Sequence, residues 1–158
     1  MKRTFNSLAL MVTMFAIALL SMIGCAKTDD RDQFEGYYLV DGTGSLTLHG
    51  VSQNVTSPIN ISKEPMTLTK SVSNSTEMSV SGFFDQPATV IGNTIQFESF
   101  STTSTTNDGV TIQAIYDVKK GTLNGSVLTF KIEISGNAYY QGSSVPISGT
   151  ISCVATKQ

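Results

Sequence analysis

The run Leu128-Thr129-Phe130-Lys131-Ile132-Glu133-Ile134 places an apolar residue at every second position. Side chains of an extended strand point alternately to opposite faces, so this segment buries one face and wets the other. The same period recurs in Ile112, Ala114, Tyr116 and Val118. Shorter pieces repeat it at Leu46/Leu48, Met66/Leu68, Met78/Val80, Ile95/Phe97 and Ile151/Cys153. Turn signals separate the runs: Gly92-Asn93, Asn107-Asp108-Gly109, Asn124-Gly125 and Gly136-Asn137. Of these, Asn124-Gly125 is the strongest, because both residue types tolerate the positive φ of a type I′ hairpin turn.

About eight strands at this spacing predict a single all-β domain. Short turns and one-sided alternation favour consecutive antiparallel pairing, either as a meander barrel or as a two-sheet sandwich. Leu46, Leu68, Phe97, Tyr116, Phe130, Ile132 and Ile134 are the expected filling. Residues 34–158 form the domain, with room for one short turn over Asp29 to Phe34. The outward set of Thr, Gln, Lys and Glu is one that lipid does not tolerate, which excludes a membrane-spanning barrel.

The first 24 residues follow a different logic. Lys2-Arg3 precede an apolar run from Leu8 to Leu20 interrupted only by Thr13, and the run ends in Leu20-Ser21-Met22-Ile23-Gly24-Cys25. A charged start, a short apolar stretch and a small residue at its end are the marks of an export signal rather than a membrane span. The final residues resemble the lipobox of bacterial lipoproteins. Gly24 and Cys25 match its pattern, and Met22 stands where leucine is usual. The resemblance implies cleavage between Gly24 and Cys25 and acylation of the cysteine, which becomes the membrane anchor. Each buried CH₂ contributes roughly 0.8 kcal/mol, so two or three chains on one cysteine hold where a single chain dissociates.

Residues 25–33 then form a charged tether. Within it, Lys27-Thr28-Asp29-Asp30 resembles the lysine-plus-acidic-pair signal that carries Bacteroidetes lipoproteins to the cell surface. The resemblance implies an outer-membrane lipoprotein, surface-exposed if Lys27, Asp29 and Asp30 act as that signal and periplasm-facing otherwise. Asp29, Asp30 and Asp32 lack the glycine and distal glutamate of a calcium loop.

Removing the leader takes Lys2 and Arg3, so the ten basic residues of the 158-residue chain become eight against twelve acidic ones, a formal charge of −4. That balance argues against a nucleic-acid surface. Once lipid occupies Cys25, Cys153 is the one remaining thiol, and its place in the alternation Ile151, Cys153, Ala155 marks it as a small buried hydrophobe.

Phe34-Glu35-Gly36-Tyr37-Tyr38 resembles the start of lipocalin-like barrels, in which a glycine is followed two residues later by a tryptophan that closes the barrel floor. Gly36 matches, and Tyr38 stands in for the tryptophan. Ala88 to Phe97 and Gly121 to Phe130 are also similar to the strand units of small lipocalin-like lipoproteins. The chain has no tryptophan, a departure from the family.

No catalytic set assembles from the sequence. His49 is the sole histidine and precedes Gly50 at an expected strand end, and no Gly-x-Ser-x-Gly elbow supplies a partner serine. One His and one distant Cys make no zinc site. Glu77, Asp85, Glu98 and Glu133 are dispersed carboxylates, with Glu98 and Glu133 on the wet side of their strands. Asp41-Gly42-Thr43-Gly44-Ser45 lacks the lysine of a phosphate loop and reads as a bulge or hairpin. Neither metal nor cofactor is expected.

The aromatic pairs Phe83-Phe84 and Tyr139-Tyr140 are the best ligand candidates, together with Tyr38. Alternation buries one ring of each pair and leaves the other at a rim, where it suits a small apolar or glycan ligand. The expected function is a non-enzymatic binding module on a lipid tether. The alternative is a structural or protein-interaction domain with a solid core, and cavity volume separates the two.

Overall fold

The computed structural model describes residues 28–50 and 52–158. Lys27, Gly24 and Cys25 therefore lie outside the described residues, with the whole leader. Ten strands follow one short 3-10 turn, Asp30–Gln33. They are β1 (Gly36–His49), β2 (Asn54–Lys70), β3 (Glu77–Gly82), β4 (Pro87–Ile91), β5 (Thr94–Phe97), β6 (Phe100–Thr105), β7 (Thr111–Val118), β8 (Gly121–Asn124), β9 (Val127–Tyr140) and β10 (Ser143–Lys157).

All belong to one antiparallel sheet, and β10 pairs with both β9 and β1, so the sheet closes on itself. Two of the strands are divided. Ile95 faces Gly121 and Phe100 faces Tyr116 at one constant offset, so β5–β6 and β7–β8 form a single hairpin interrupted at Glu98-Ser99 and Lys119-Lys120. Counted this way, eight strands run up and down in sequence order around the ring. The meander is present, and the single sheet removes the sandwich.

Hairpin turns explain the register. Ile91 pairs with Thr94 and Asn124 with Val127, leaving two-residue loops that start with Gly92 (φ 58°) and Gly125 (φ 61°). A glycine at the first loop position with positive φ is the type II′ arrangement. Asn124 is thus the last strand residue, one position short of the turn expected for it. Gly136-Asn137 is not a turn either. β9 runs through it to Tyr140, and the chain reverses at Gln141-Gly142, both with positive φ. Gly136 serves a close approach instead: a Cβ there would lie 2.0 Å from the Gln113 carbonyl oxygen. The glycine-rich Asp41 to Ser45 stays inside β1 as a bulge region. The extra residue sits across from it in β2, where Lys63 takes φ 53° and its N–H donates to Asp41.

The interior divides along its length. The lower part, where every strand of the ring is present, is filled by Phe34, Tyr38, Met66, Leu68, Met78, Ile95 and Leu128, all fully buried. Tyr38 is 0% exposed and its hydroxyl donates to the Phe34 carbonyl at 2.8 Å. It therefore belongs to the floor and not to a ligand rim. The burial also pushes its phenol up to about 12. Cys153, as expected, is a buried free thiol, raised to about 11 for the same reason. We expect no reaction with an aromatic disulfide reagent in the native domain at pH 8, and full reaction after unfolding in guanidinium.

The 3-10 turn seals this lower end. Asp29 caps it, accepting from the Arg31 N–H at 3.0 Å, and Arg31 Nη1 donates to the carbonyls of Ser71, Asn74 and Glu77. Gln33 reaches the Gly92 carbonyl at 2.6 Å, and Asp30 accepts from the Gly92 N–H at 3.2 Å. Lys70 pairs with Asp29, Asp32 and Glu35, and Lys157 donates to the Gln33 carbonyl. Asp29 to Gln33, expected in the tether, are thus part of the floor, and Asp29 and Asp30 are engaged by it. Residues 28–158 contain all ten described strands, their core and its cap.

This cap makes stability acid-sensitive. Hydrogen bonds from Arg31 hold the Asp29 carboxyl down at about 2. A carboxyl lowered on folding stabilises fully above its unfolded value near 4, and that contribution is lost as pH falls from about 4 to 2. We expect the melting temperature to drop over this window, and Asp29→Asn to flatten the drop, as read by circular dichroism.

Candidate functional site

Above the floor the ring is incomplete. β3 and β4 have six and five residues, whereas β1, β2, β9 and β10 have 14 to 17. β2 pairs with β3 only over Met66 to Lys70, so Asn54 to Ile61 has a partner on the β1 side alone. β6 pairs only with β7. The wall is thus notched, with the free edges of β2 and β6 on either side and the β3–β4 loop at its base. Pro58 fits such an edge, since it has no N–H to give a further strand.

Inner-face positions of the long strands line this opening. Alternation carries inward Leu46 from β1, Ile59 and Ile61 from β2, and Phe100, Thr102 and Ser104 from β6, as well as Ile112 and Tyr116 from β7. Their apolar members are only partly buried and pack against the core from above. Two of the expected core residues, Leu46 and Tyr116, are therefore wall residues of a cleft, while Leu68, Phe97, Phe130, Ile132 and Ile134 are buried as expected.

Two adjoining hollows occupy the cleft. The upper, about 260 Å³, lies among Leu46, Ile59, Ser104, Ile112, Ile134 and Ile147. The lower, about 320 Å³, lies among Ile61, Phe83, Phe84, Phe100 and Ile132. Thr102, Tyr116 and Ile151 border both, so the two hollows share a wall and make one row along β6. From Phe100 to Ser104 it spans roughly 13 Å at about 3.3 Å per residue.

Aromatic rings form the base. Phe84 is buried, edge-on to Phe97 at 5.2 Å and stacked on Phe100 at 5.8 Å. Phe83 lies against Phe84 and Phe130 at 5.4 and 6.4 Å. Both rings turn inward, so neither is left outside as alternation suggested; a loop does not keep a strand's period. Tyr116 stacks on Phe100 at 4.9 Å and extends the aromatic floor into the cleft. In contrast, Tyr139 and Tyr140 are 36% and 48% exposed, so neither ring is buried. They end β9 above the core, on opposite strand faces, with Tyr140 on the inner side.

The other candidates are held apart. His49 ends β1, exposed, its Nε2 2.7 Å from the Ser148 hydroxyl. Asp85 accepts from the Gly82 N–H and shapes the β3–β4 loop. Glu77 begins β3 beside Asn74 at the floor. Glu133 pairs with Lys119 at 3.0 Å and Lys131 at 3.3 Å on the outer wall, and both cations hold its carboxyl below the usual range. Glu98 is exposed at the β5–β6 break. No group of three or more His, Cys, Asp or Glu side chains converges among the described residues.

Sequence reasoning missed Leu46, Ile59, Ile61, Thr102, Ser104 and Tyr116 as a set. Each reads locally as an ordinary inward strand residue; what sets them apart is the missing height of β3 and β4. The chain matches no family model, and no curated protein is similar to it in sequence.

Proposed function

We propose that this protein is a non-enzymatic binding module, anchored to a membrane by lipid on Cys25, whose side cleft takes a small apolar ligand. The observation that carries the reading is the pair of adjoining hollows along β6, the lower of which reaches the volume range of small-molecule sites, both walled mainly by aliphatic and aromatic side chains. A glycan is less well served, because Tyr139 and Tyr140 lie on opposite faces and cannot sandwich one sugar. The anchor leaves three residues between Cys25 and the cap at Asp29, at most about 14 Å of chain. The sealed floor then sits at the bilayer and the cleft opens on the far half of the ring. Lipid-anchored placement in the outer membrane, with the domain on either side of it, is part of this proposal.

Thr102→Trp tests the ligand reading. Thr102 is exposed on β6 yet borders both hollows, so a large ring there fills the cleft without entering the core. We expect an apolar fluorescent probe to bind residues 28–158 and to bind the variant at least tenfold more weakly, with the melting temperature within about 2 °C of the parent. Equal binding by both rejects the cleft as the site.

A second reading, an envelope interaction module, rests on the two unpaired edges, since an added strand can complete an open edge. It predicts protection of the Ser101 to Thr105 amides from hydrogen exchange on partner binding.

A further inference from the structure

The charges of this domain are segregated along its length. Residues 42–62 and 134–156 contain no Asp, Glu, Lys or Arg, and residues 99–116 contain only Asp108. These three segments build the upper half of the ring, and residues 134–156 also continue down β10 to the floor. None of the residues that border the two hollows is charged. Arg31, Lys70 and Lys157 are engaged at the floor, and Lys119 and Lys131 are paired with Asp117 and Glu133 on the outer wall. Lys63 and Glu64 lie in β2 next to its unpaired stretch, Asp85 lies in the β3–β4 loop, and Lys120 is exposed at the break between β7 and β8.

We infer that the cleft selects an uncharged amphiphile: one alkyl chain along β6 and a head that bears hydroxyls but no ionised group. This rests on the cleft being a ligand site and specifies its ligand. The alkyl chain lies against Ile59, Ile61, Ile112 and Phe100, where only apolar area is offered. The polar atoms available to a head are the hydroxyls of Thr102, Ser104 and Tyr116, which both donate and accept. A hydroxyl head exchanges its water contacts for these at little net cost. An ionised head meets no opposite charge, and the few hydroxyls there replace only part of the hydration it gives up. An acidic head also meets the net negative charge of the domain.

The test uses residues 28–158 and three probes of equal chain length below their micelle concentrations: monododecanoylglycerol, dodecanoate and dodecyltrimethylammonium. Each displaces the bound fluorescent probe at pH 7.5. The expected result is at least tenfold tighter binding of the acylglycerol than of either ion. In Thr102→Lys, dodecanoate is expected to gain at least tenfold while the acylglycerol loses, because a cation now faces the head. Lys63→Gln is expected to leave the order unchanged. Dodecanoate binding as tightly as the acylglycerol, or losing its binding in Lys63→Gln, overturns the inference while the cleft stands. Failure of all three to displace the probe from the folded domain removes the cleft reading and the inference with it.

Discussion

Tyr38→Ala is expected to destabilise the domain by about 4 kcal/mol, the range for emptying a buried aromatic site whose surroundings relax only in part. Tyr38 is the largest of the fully buried side chains, at the floor beside Phe34. The loss is a large fraction of the stability of an ordinary small domain, and urea unfolding of residues 28–158 measures it. Tyr38→Phe separates the ring from the hydroxyl. It keeps the packing and removes one hydrogen bond to the Phe34 carbonyl, so about 1 kcal/mol is expected. The hydroxyl also carries an alkaline signature. Burial raises the phenol to about 12, above its unfolded value near 10. Its contribution is therefore complete below pH 10 and is lost as pH climbs towards 12. Tyr38→Phe should remove the part of that slope above pH 11, since the buried Cys153 thiol, raised to about 11, contributes below it; an unchanged slope would assign it to other groups.

Gly44→Ala is expected to cost about 3 kcal/mol, at the upper end of overpacking penalties. Gly44 faces Ile151 across the β1–β10 pair, and a Cβ there would lie 1.9 Å from the Thr150 carbonyl oxygen and 2.8 Å from the Ile151 Cα. Both obstacles are backbone, so relief requires the two strands to move apart. Gly109→Ala is the contrast, since only the positive φ is at issue and nothing lies within 4 Å of its Cβ. About 1 kcal/mol is expected there. Equal losses at the two sites, in thermal or urea unfolding, would show that β1 and β10 separate easily and that the curvature of the long strands is soft.

The strands were legible because a two-residue apolar period has a single structural meaning once one face is buried. Leu128 to Ile134 shows this, with Leu128, Phe130, Ile132 and Ile134 inward in strict alternation. Glycine was ambiguous in the same sequence. Gly92 makes a turn and Gly136 makes room for the Gln113 carbonyl, yet both precede an asparagine. Local chemistry cannot separate the two causes, because the second lies on a neighbouring strand. The cleft was illegible for a related reason. Tyr116 and Phe130 look alike in sequence, each an aromatic on an inward position. Phe130 is buried because the ring is whole at its level, and Tyr116 is half-open because β3 and β4 stop below it. Strand height is a comparison among distant segments, and no window of sequence contains it.

The shortness of the β3–β4 hairpin also bears on how such a domain changes over generations. Its length sets the depth of the notch, while the floor depends on Phe34, Tyr38 and the Arg31 contacts, which insertions in the Phe83 to Gln86 loop would not touch. Two residues added to each of these strands would raise the wall by roughly 7 Å and roof over much of the lower hollow. The depth and openness of the cleft are therefore free to drift by the growth or loss of one hairpin, without disturbing the core that keeps the chain folded.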